Sequence, residues 1–186
     1  MGWIAKNGYL TKAQMENNVR ELWDFFRQHG CTLNAVSAMA GNMQTESGIN
    51  PGIWESLRPF WRGYGLVQWT PYTKYSEWAG ENWEGNGDKQ CERILYEAEN
   101  GLQWFANPEA TPVNPPITLA EFLVSDLPPA TLANYFLWYY EHPANPHQSN
   151  RAIQAEYWYG FLSGEAPPAP DFSTTKLPIW FYIKQF

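Results

Sequence analysis

Signals for the start and the end of helices run through the first 164 residues of the chain and are interrupted once. Thr11 and Gln14 form a capping-box pattern ahead of an amphipathic stretch that ends at Gly30. A second stretch, residues 33–47, is rich in alanine and contains Gly41, so it predicts a central helix that a neighbouring backbone can approach closely. Further helices are predicted at 88–106, at a short segment capped by Thr118 and Glu121, at 128–140 and at 149–162.

The interruption, residues 48–70, is rich in glycine and proline, which are typical of turns. Within it, residues 64–69 have β-prone side chains, so we predict a small sheet or hairpin inserted between helices. Thr70 and Pro71 are expected to cap and begin the next helix, because proline suits the first helical position. The predicted fold class is therefore α+β and mostly helical.

Residues 1–164 are predicted to form one domain, since a chain of 186 residues suits one domain with or without an appendage. The run EAPPAP at 165–170 is typical of a linker. The apolar stretch that follows, up to Phe186, is expected to pack back on the domain or to begin a further downstream unit. Residues 165–186 are thus assigned as a linker and an apolar C-terminal segment.

The charge balance excludes two classes of partner. Asp and Glu total 19 against 12 Lys and Arg, which gives a formal net charge of −7. Binding to nucleic acid and to anionic membranes depends on cationic surface, so neither partner is expected. The first residues also lack the apolar core of a secretory signal, so we expect another carrier for any role outside the producing cell.

No metal or cofactor is predicted. The two cysteines, Cys31 and Cys91, stand alone in the sequence; they could pair with each other, but we expect two buried thiols. The three histidines belong to no metal-binding motif, and we interpret them as structural or solvated.

Glu46 is the candidate catalytic residue. It stands near the C-terminal end of a helix that we expect to be buried, directly before Ser47 and Gly48. Burial and the partial negative charge of the helix end both favour the protonated carboxyl group, which is the form that a general acid needs. The alternative interpretation is an exposed glutamate at a frayed helix end. For an arbitrary glutamate in this position, that interpretation would be preferred.

The motifs around Glu46 resemble those of known wall-degrading enzymes. A helix that ends in Glu-Ser, followed by a Gly-Leu-x-Gln segment, resembles lytic transglycosylases and goose-type lysozymes. A closer resemblance, between residues 41 and 159, is to the phage tail lysozyme family. It rests on GNMQTES (41–47), INPG (49–52), GLVQWTP (65–71), YEHP (140–143) and QAEYWY (154–159).

This resemblance implies a lysozyme-like fold and Glu46 as the acid that cleaves the β-1,4 bond between N-acetylmuramic acid and N-acetylglucosamine. It also implies a virion tail protein, made in the infected bacterial cytoplasm, that degrades the Gram-positive cell wall during genome entry. Its expected partners are peptidoglycan glycan strands and phage tail proteins. Tail proteins of this type often carry a second wall-degrading domain; whether one has been lost or removed here is left open.

A second carboxylate is needed by most glycosidases, either as a nucleophile or as a base for water. Glu55 is the only acid between Glu46 and the segment that begins at Gly65. It is the candidate, with a solvated loop residue as an equal alternative. Glu141 is interpreted as structural, binding backbone N–H groups of the adjacent loop, and a role as second acid is the lesser alternative.

Three residues of the β-prone segment are candidates for sugar binding. The amide of Gln68 is expected to bind the substrate N-acetyl group or to orient water, and Tyr64 and Trp69 are candidates for stacking on sugar rings. Strand alternation places Tyr64 and Gln68 on one face and Trp69 on the other, which favours Trp69 as a core residue.

The mechanism and even the class of function stay open at this stage. Without a second carboxylate, the substrate N-acetyl group would assist, and a lytic transglycosylase would release 1,6-anhydro ends. A non-catalytic glycan-binding module and a structural tail component are the further alternatives. The acid at position 46 favours an enzyme, because a binding module has no need of it.

Overall fold

The computed structural model describes residues 2–56, 62–111 and 113–165. Within these ranges the chain forms seven α-helices and one π-helical turn, so the predicted mostly helical fold is confirmed. The elements are α1 (Lys12–Gln28), α2 (Leu33–Ser47), α3 (Thr73–Ala79), α4 (Gly87–Glu99), α5 (Leu119–Leu123), α6 (Pro129–Phe136), the π-helical turn π1 (Leu137–Glu141) and α7 (Asn150–Ser163). The predicted linker from residue 166 onward and the apolar C-terminal segment lie outside the described residues.

Local capping signals set the start of two helices as predicted. At α1, the hydroxyl of Thr11 accepts the Gln14 N–H while the Gln14 side chain accepts the Thr11 N–H. Thr118 and Glu121 make the same reciprocal pair at the start of α5. These bonds satisfy N–H groups that have no partner within the helix, which explains why the sequence pattern locates both helices.

Helix α2 is the centre of the domain, and α7 packs directly on it. Gly41 makes this possible: a Cβ atom there would lie 2.6 Å from the carbonyl oxygen of Arg151 and 2.7 Å from the backbone nitrogen of Ala155. The small residues of α2 thus allow the close helix approach that the sequence predicts. This approach brings Arg151 of α7 alongside the last turn of α2.

Residues 64–69 form a tight hairpin, one of the two predicted forms, and its turn corrects the predicted alternation of side chains. Trp69 donates its backbone N–H to the Tyr64 carbonyl at 3.1 Å, and the two residues form an isolated antiparallel bridge. The chain reverses between them because Gly65 and Gln68 adopt positive φ angles of 79° and 51°. Tyr64 and Trp69 therefore lie side by side, and the residues between them form the turn.

Side chains from two helices hold this hairpin beside the end of α2. The Ser47 hydroxyl lies 2.8 Å from the Leu66 carbonyl oxygen, to which it donates. From α4, Gln90 accepts the Leu66 N–H at 2.8 Å and donates to the Pro51 carbonyl at 2.7 Å. The position of the hairpin relative to α2 is thus fixed by buried hydrogen bonds rather than by a sheet.

Two helix boundaries differ from the sequence prediction. Helix α3 begins at Thr73, because the Thr70 hydroxyl donates to the Gln68 carbonyl at 2.9 Å instead of capping a helix. Helix α4 ends at Glu99, since Gly101 and Gln103 have positive φ angles. After α6, the chain continues through π1, which ends where His142 adopts a left-handed conformation.

Cys31 and Cys91 are both free and buried, as expected from their spacing. In the described part of the chain, most aromatic rings lie in the core or pack against it; Tyr64 of the core, for example, contacts the partly buried rings of Trp54 and Trp83. None of the helices in the described ranges has the length and apolar character needed to cross a membrane.

Gly41→Ala tests the close packing of α2 on α7. Since the new methyl group meets backbone atoms of α7, which have little freedom to move, the variant should lose at least about 1–3 kcal/mol of unfolding free energy. Urea denaturation would measure this loss. Gly8→Ala is the matched control, because a Cβ atom at Gly8 meets nothing within 4 Å; equal losses in both variants would contradict the packing account.

Candidate active site

A cleft of about 580 Å³ opens between the end of α2, the hairpin and the segment that follows π1. Glu46, Gln68, Glu141 and His142 are among its lining residues. Its volume falls in the range of small-molecule and saccharide-sized sites. Glu46 of α2 and Glu141 of π1 thus line the same cavity, which Glu109 and Lys74 also line.

Glu46 is held in the cleft wall by a buried ion pair. Its side chain is 6% exposed, and Oε1 accepts a hydrogen bond from Nη2 of Arg151 at 2.5 Å. An adjacent guanidinium stabilises the negative charge that burial disfavours. This ion pair opposes the effect of burial, on which the sequence prediction of a proton-holding acid rested.

Arg151 is itself fixed from three sides. It is 1% exposed, and besides Glu46 it donates from Nη1 to Asn42 Oδ1 at 3.2 Å and from Nε to Gln148 Oε1 at 2.9 Å. Asn42 in turn donates to the Ala133 carbonyl of α6 at 3.0 Å. The guanidinium consequently sets one orientation for the Glu46 carboxylate.

Glu141, the last residue of π1, is the second carboxyl group of the cleft. Its Oε1 atom is shielded from solvent and has no hydrogen-bond partner within the described part of the chain. Burial and then the negative charge of Glu46 raise the pKa of Glu141 well above its ordinary value, a shift that Arg151 opposes and Glu97 reinforces. The protonated form of Glu141 is therefore favoured. Its Oε1 atom accepts no loop N–H group in the described structure, in contrast to the role predicted from the sequence.

Behind the cleft, Glu97 of α4 joins the hairpin to π1. It is 1% exposed and accepts hydrogen bonds from Trp69 Nε1 at 3.1 Å, from the Tyr140 hydroxyl at 2.5 Å and from Arg93 Nε at 2.8 Å. Because Tyr140 directly precedes Glu141, this carboxylate also holds the backbone from which Glu141 reaches the cleft.

The structure contradicts the placement of Tyr64 on the face of the cleft. Its ring is 2% exposed and packs against Trp54 and Trp83, at centroid distances of 4.6 Å and 4.9 Å. Its hydroxyl accepts the Gly85 N–H at 2.6 Å, and burial raises the pKa of Tyr64 to about 12. The tight hairpin turns this residue inward, so its ring has no face open to a sugar.

Trp69 and Gln68 both line the cleft, but the ring of Trp69 and the amide of Gln68, the groups that the sequence suggested for sugar binding, are largely buried. Trp69 is 3% exposed and stacks on Tyr75 at 4.9 Å, in agreement with its interpretation as a core residue. The Gln68 amide nitrogen donates to the Gly65 carbonyl at 2.9 Å, and its Oε1 is buried without a partner among the described residues. A role for the Gln68 amide in binding substrate stays a prediction.

Glu55 does not line the cleft together with Glu46. Its Oε2 accepts the Gly63 N–H at 3.0 Å and lies 3.7 Å from Nε of Arg62, so it closes the base of the hairpin. Glu141 lines the cleft with Glu46 instead, and a role for Glu55 as the second carboxylate stays a prediction.

The sequence prediction did not name Arg151 and interpreted His142 and Glu141 as structural or solvated residues, whereas Arg151 binds Glu46 and the other two line the cleft. Arg151 stands at helical spacing with Ala155 and Trp158 on a buried face, and a cation in such a row signals a buried acidic partner. His142 lines the cleft and stacks on Phe105 at 4.0 Å, and burial lowers its pKa. Across the described residues, no group of three or more His, Cys, Asp and Glu side chains could hold a metal ion.

Comparison with known proteins identifies the family to which the chain belongs. A family model described as phage tail lysozyme matches residues 17–162, a range that includes Glu46, Glu141 and Arg151. Morphogenesis protein 1 of Bacillus phage B103 is 43% identical over 167 residues. The match covers 88% of this chain and 44% of that relative, so the chain spans less than half of the relative's length.

Glu141→Gln tests the environment of the second carboxyl group. A glutamate whose pKa is raised on folding binds more protons in the folded state, so its contribution to stability is lost as pH rises from the unfolded to the folded pKa. The wild type should therefore lose unfolding free energy relative to Glu141→Gln as the pH rises above the ordinary glutamate pKa of about 4. Urea denaturation at several pH values measures the difference. The exposed Glu99→Gln variant should follow the wild type, and parallel curves for all three proteins would contradict the raised pKa.

Proposed function

Since this chain belongs to the phage tail lysozyme family, we propose that it cleaves the glycan strand of peptidoglycan at the β-1,4 bond between N-acetylmuramic acid and N-acetylglucosamine. Glu46 is the residue that transfers a proton to the leaving oxygen. The observation that carries this proposal is a buried carboxyl group, fixed by a buried guanidinium, in the wall of a saccharide-sized cleft.

The chemistry of the proposed reaction matches the groups in the cleft. A glycosidic oxygen leaves only when it is protonated, and the sugar that it leaves acquires positive charge at C1. A carboxyl group in a fixed orientation can deliver that proton, because the contacts of Arg151 hold its direction before the substrate arrives. Negative charge in the same cleft then favours the cationic transition state.

The biological setting of the proposed activity is the virion tail. Family membership places the chain among tail-associated lysozymes, and the relative is named a morphogenesis protein of a Bacillus phage. We propose that the domain is carried on the tail with other tail proteins and opens the wall of a Gram-positive host during genome entry. The net charge of −7 is consistent with delivery by the particle, because an anionic enzyme gains little attraction from an anionic wall.

A lytic transglycosylase is the competing mechanism, and product analysis separates the two. Glu141 in the cleft favours hydrolysis, because it supplies the second carboxyl group that a hydrolase uses. Mass spectrometry of digested peptidoglycan should show reducing muramic acid ends. Products that carry 1,6-anhydro ends would instead show that an intramolecular ring closure of the sugar replaces the attack of water.

Substitution of Glu46 tests the proposed activity. Glu46→Asp keeps the charge beside Arg151 but withdraws the carboxylate by one methylene group. It should fold and lose at least about 10²-fold in the rate of peptidoglycan clearance. Glu46→Gln should lose as much activity and also some stability, since it leaves Arg151 as a buried cation without its anionic partner.

The controls for this experiment are two other glutamates. Glu99→Gln removes an exposed carboxylate from α4, and Glu55→Gln removes the other acid that the sequence suggested. Both should keep most of the wild-type clearance rate. Full activity in folded Glu46 variants would refute the assignment, and loss of activity in Glu55→Gln alone would restore Glu55 as the second acid.

A further inference from the structure

Arg151 of α7 interacts with two carboxyl groups of the cleft, Glu46 from α2 and Glu141 from π1. The cleft is also lined by Lys74, Glu109 and His142. Both carboxyl groups line the cavity, and Arg151 binds Glu46 directly at 2.5 Å. Glu141 Oε1, by contrast, is buried and has no hydrogen-bond partner in the described structure. A buried oxygen without a partner is costly, so its occurrence beside a cleft indicates that a ligand or a reacting group completes it.

Charge balance allows one ionised carboxyl group at a time. Arg151 neutralises one negative charge, and a second carboxylate beside it would be buried without a counter-ion. Two such carboxyl groups at one buried site therefore share a single proton, as acidic pairs in enzymes do. Glu97 also acts on Glu141, but its negative charge is already bound by Arg93 and by the Tyr140 hydroxyl, which donates to it. It therefore does not change the number of carboxyl groups that can be ionised beside Arg151.

On the basis of the proposed glycosidase function, we propose that Glu141 is the second catalytic carboxyl group and that it shares one proton with Glu46. In the resting arrangement Glu46 is the carboxylate bound to Arg151 and Glu141 carries the proton. When the proton moves to Glu46, Glu141 becomes the carboxylate. A singly protonated pair thus presents one acid and one carboxylate to the same cleft, which are the two groups that glycoside hydrolysis requires.

The reaction conserves atoms and charge through this pair. Glu46 gives the shared proton to the glycosidic oxygen while the C1–O bond breaks, with its electron pair going to that oxygen. The sugar cation is then faced by the Glu141 carboxylate. Water forms the new bond to C1 and returns a proton to the pair, which restores its singly protonated state.

Carbon-13 NMR of the wild type tests the resting state without any variant and without substrate. Protein labelled at glutamate side-chain carboxyl carbons would be titrated, and Glu141 assigned by through-bond correlation to its backbone. The proposal predicts a Glu141 carboxyl carbon with the chemical shift of a neutral acid at neutral pH. It also predicts that Glu46 and Glu141 respond to the same titration steps. An ionised Glu141 at neutral pH would overturn the proposal.

Kinetics of Glu141 variants test the catalytic role. Glu141→Gln should lower kcat by about 10²-fold or more with little change in KM, and should move the alkaline limb of the kcat/KM profile to lower pH. In Glu141→Ala, added azide should restore turnover and yield a glycosyl azide, because the small anion takes the place of the missing carboxylate. A structural role would lower stability without azide rescue and without moving the pH profile, and that result would overturn the proposal.

These outcomes are distinct from failure of the proposed function. If the wild type releases no saccharide from peptidoglycan, the glycosidase assignment fails whatever Glu141 does. If the wild type is active and folded Glu141→Gln cleaves at the wild-type rate, the glycosidase assignment stands and the second catalytic carboxyl group is refuted. The exposed Glu99→Gln variant controls for loss of a carboxylate in general.

Discussion

The ion pair between Glu46 and Arg151 is the contact on which the arrangement of the cleft depends. A buried carboxylate is tolerated only when a partner offsets the loss of hydration, and removal of one partner of such a pair typically costs about 3–5 kcal/mol. The chain meets this requirement by packing α7 against α2 over Gly41, a position where a side chain would meet the α7 backbone. The ion pair therefore depends on the helix packing: without Gly41, α7 could not approach α2 closely enough for the Arg151 guanidinium to bind the Glu46 carboxylate.

The same constraint explains why a mostly helical domain has a cleft at this place. Helix α2 ends at Ser47, and its hydroxyl group holds the hairpin beside the helix end. Glu97 holds the hairpin to π1 from behind. The cavity between these elements receives Glu46 from one wall and Glu141 from the other, so two acids that are distant in sequence act on each other.

Much of the fold follows from local rules that the sequence shows directly. The capping boxes at Thr11 and Thr118 locate the starts of α1 and α5, and the small residues of α2 indicate a buried helix that others approach closely. Glu46 stands out through its motif as well as its position at the helix end. These features depend on neighbours within a few residues, which is why they can be predicted without knowledge of the tertiary structure.

The rest of the site depends on contacts between distant segments and could not be predicted in this way. The hairpin was expected to alternate like a strand, but positive φ angles at Gly65 and Gln68 turn Tyr64 into the core. Glu55 was nearer to Glu46 in sequence, while Glu141 reaches the cleft because α6 and α7 pack on α2 and π1 continues from α6. Arg151 carried the clearest overlooked signal, since it is a cation in a helix row that otherwise faces the core.

The roles of Glu46 and Glu141 are tested most directly by a crystal structure of the Glu46→Asp variant bound to a peptidoglycan oligosaccharide long enough to span the cleft. We predict that the scissile glycosidic oxygen lies on the side of the shortened carboxylate and that C1 of the adjoining sugar faces the Glu141 carboxyl group. Arg151 should still bind the residue at position 46. A saccharide bound elsewhere on the domain, or bound in this cleft with its glycosidic bond turned away from both carboxyl groups, would contradict these roles.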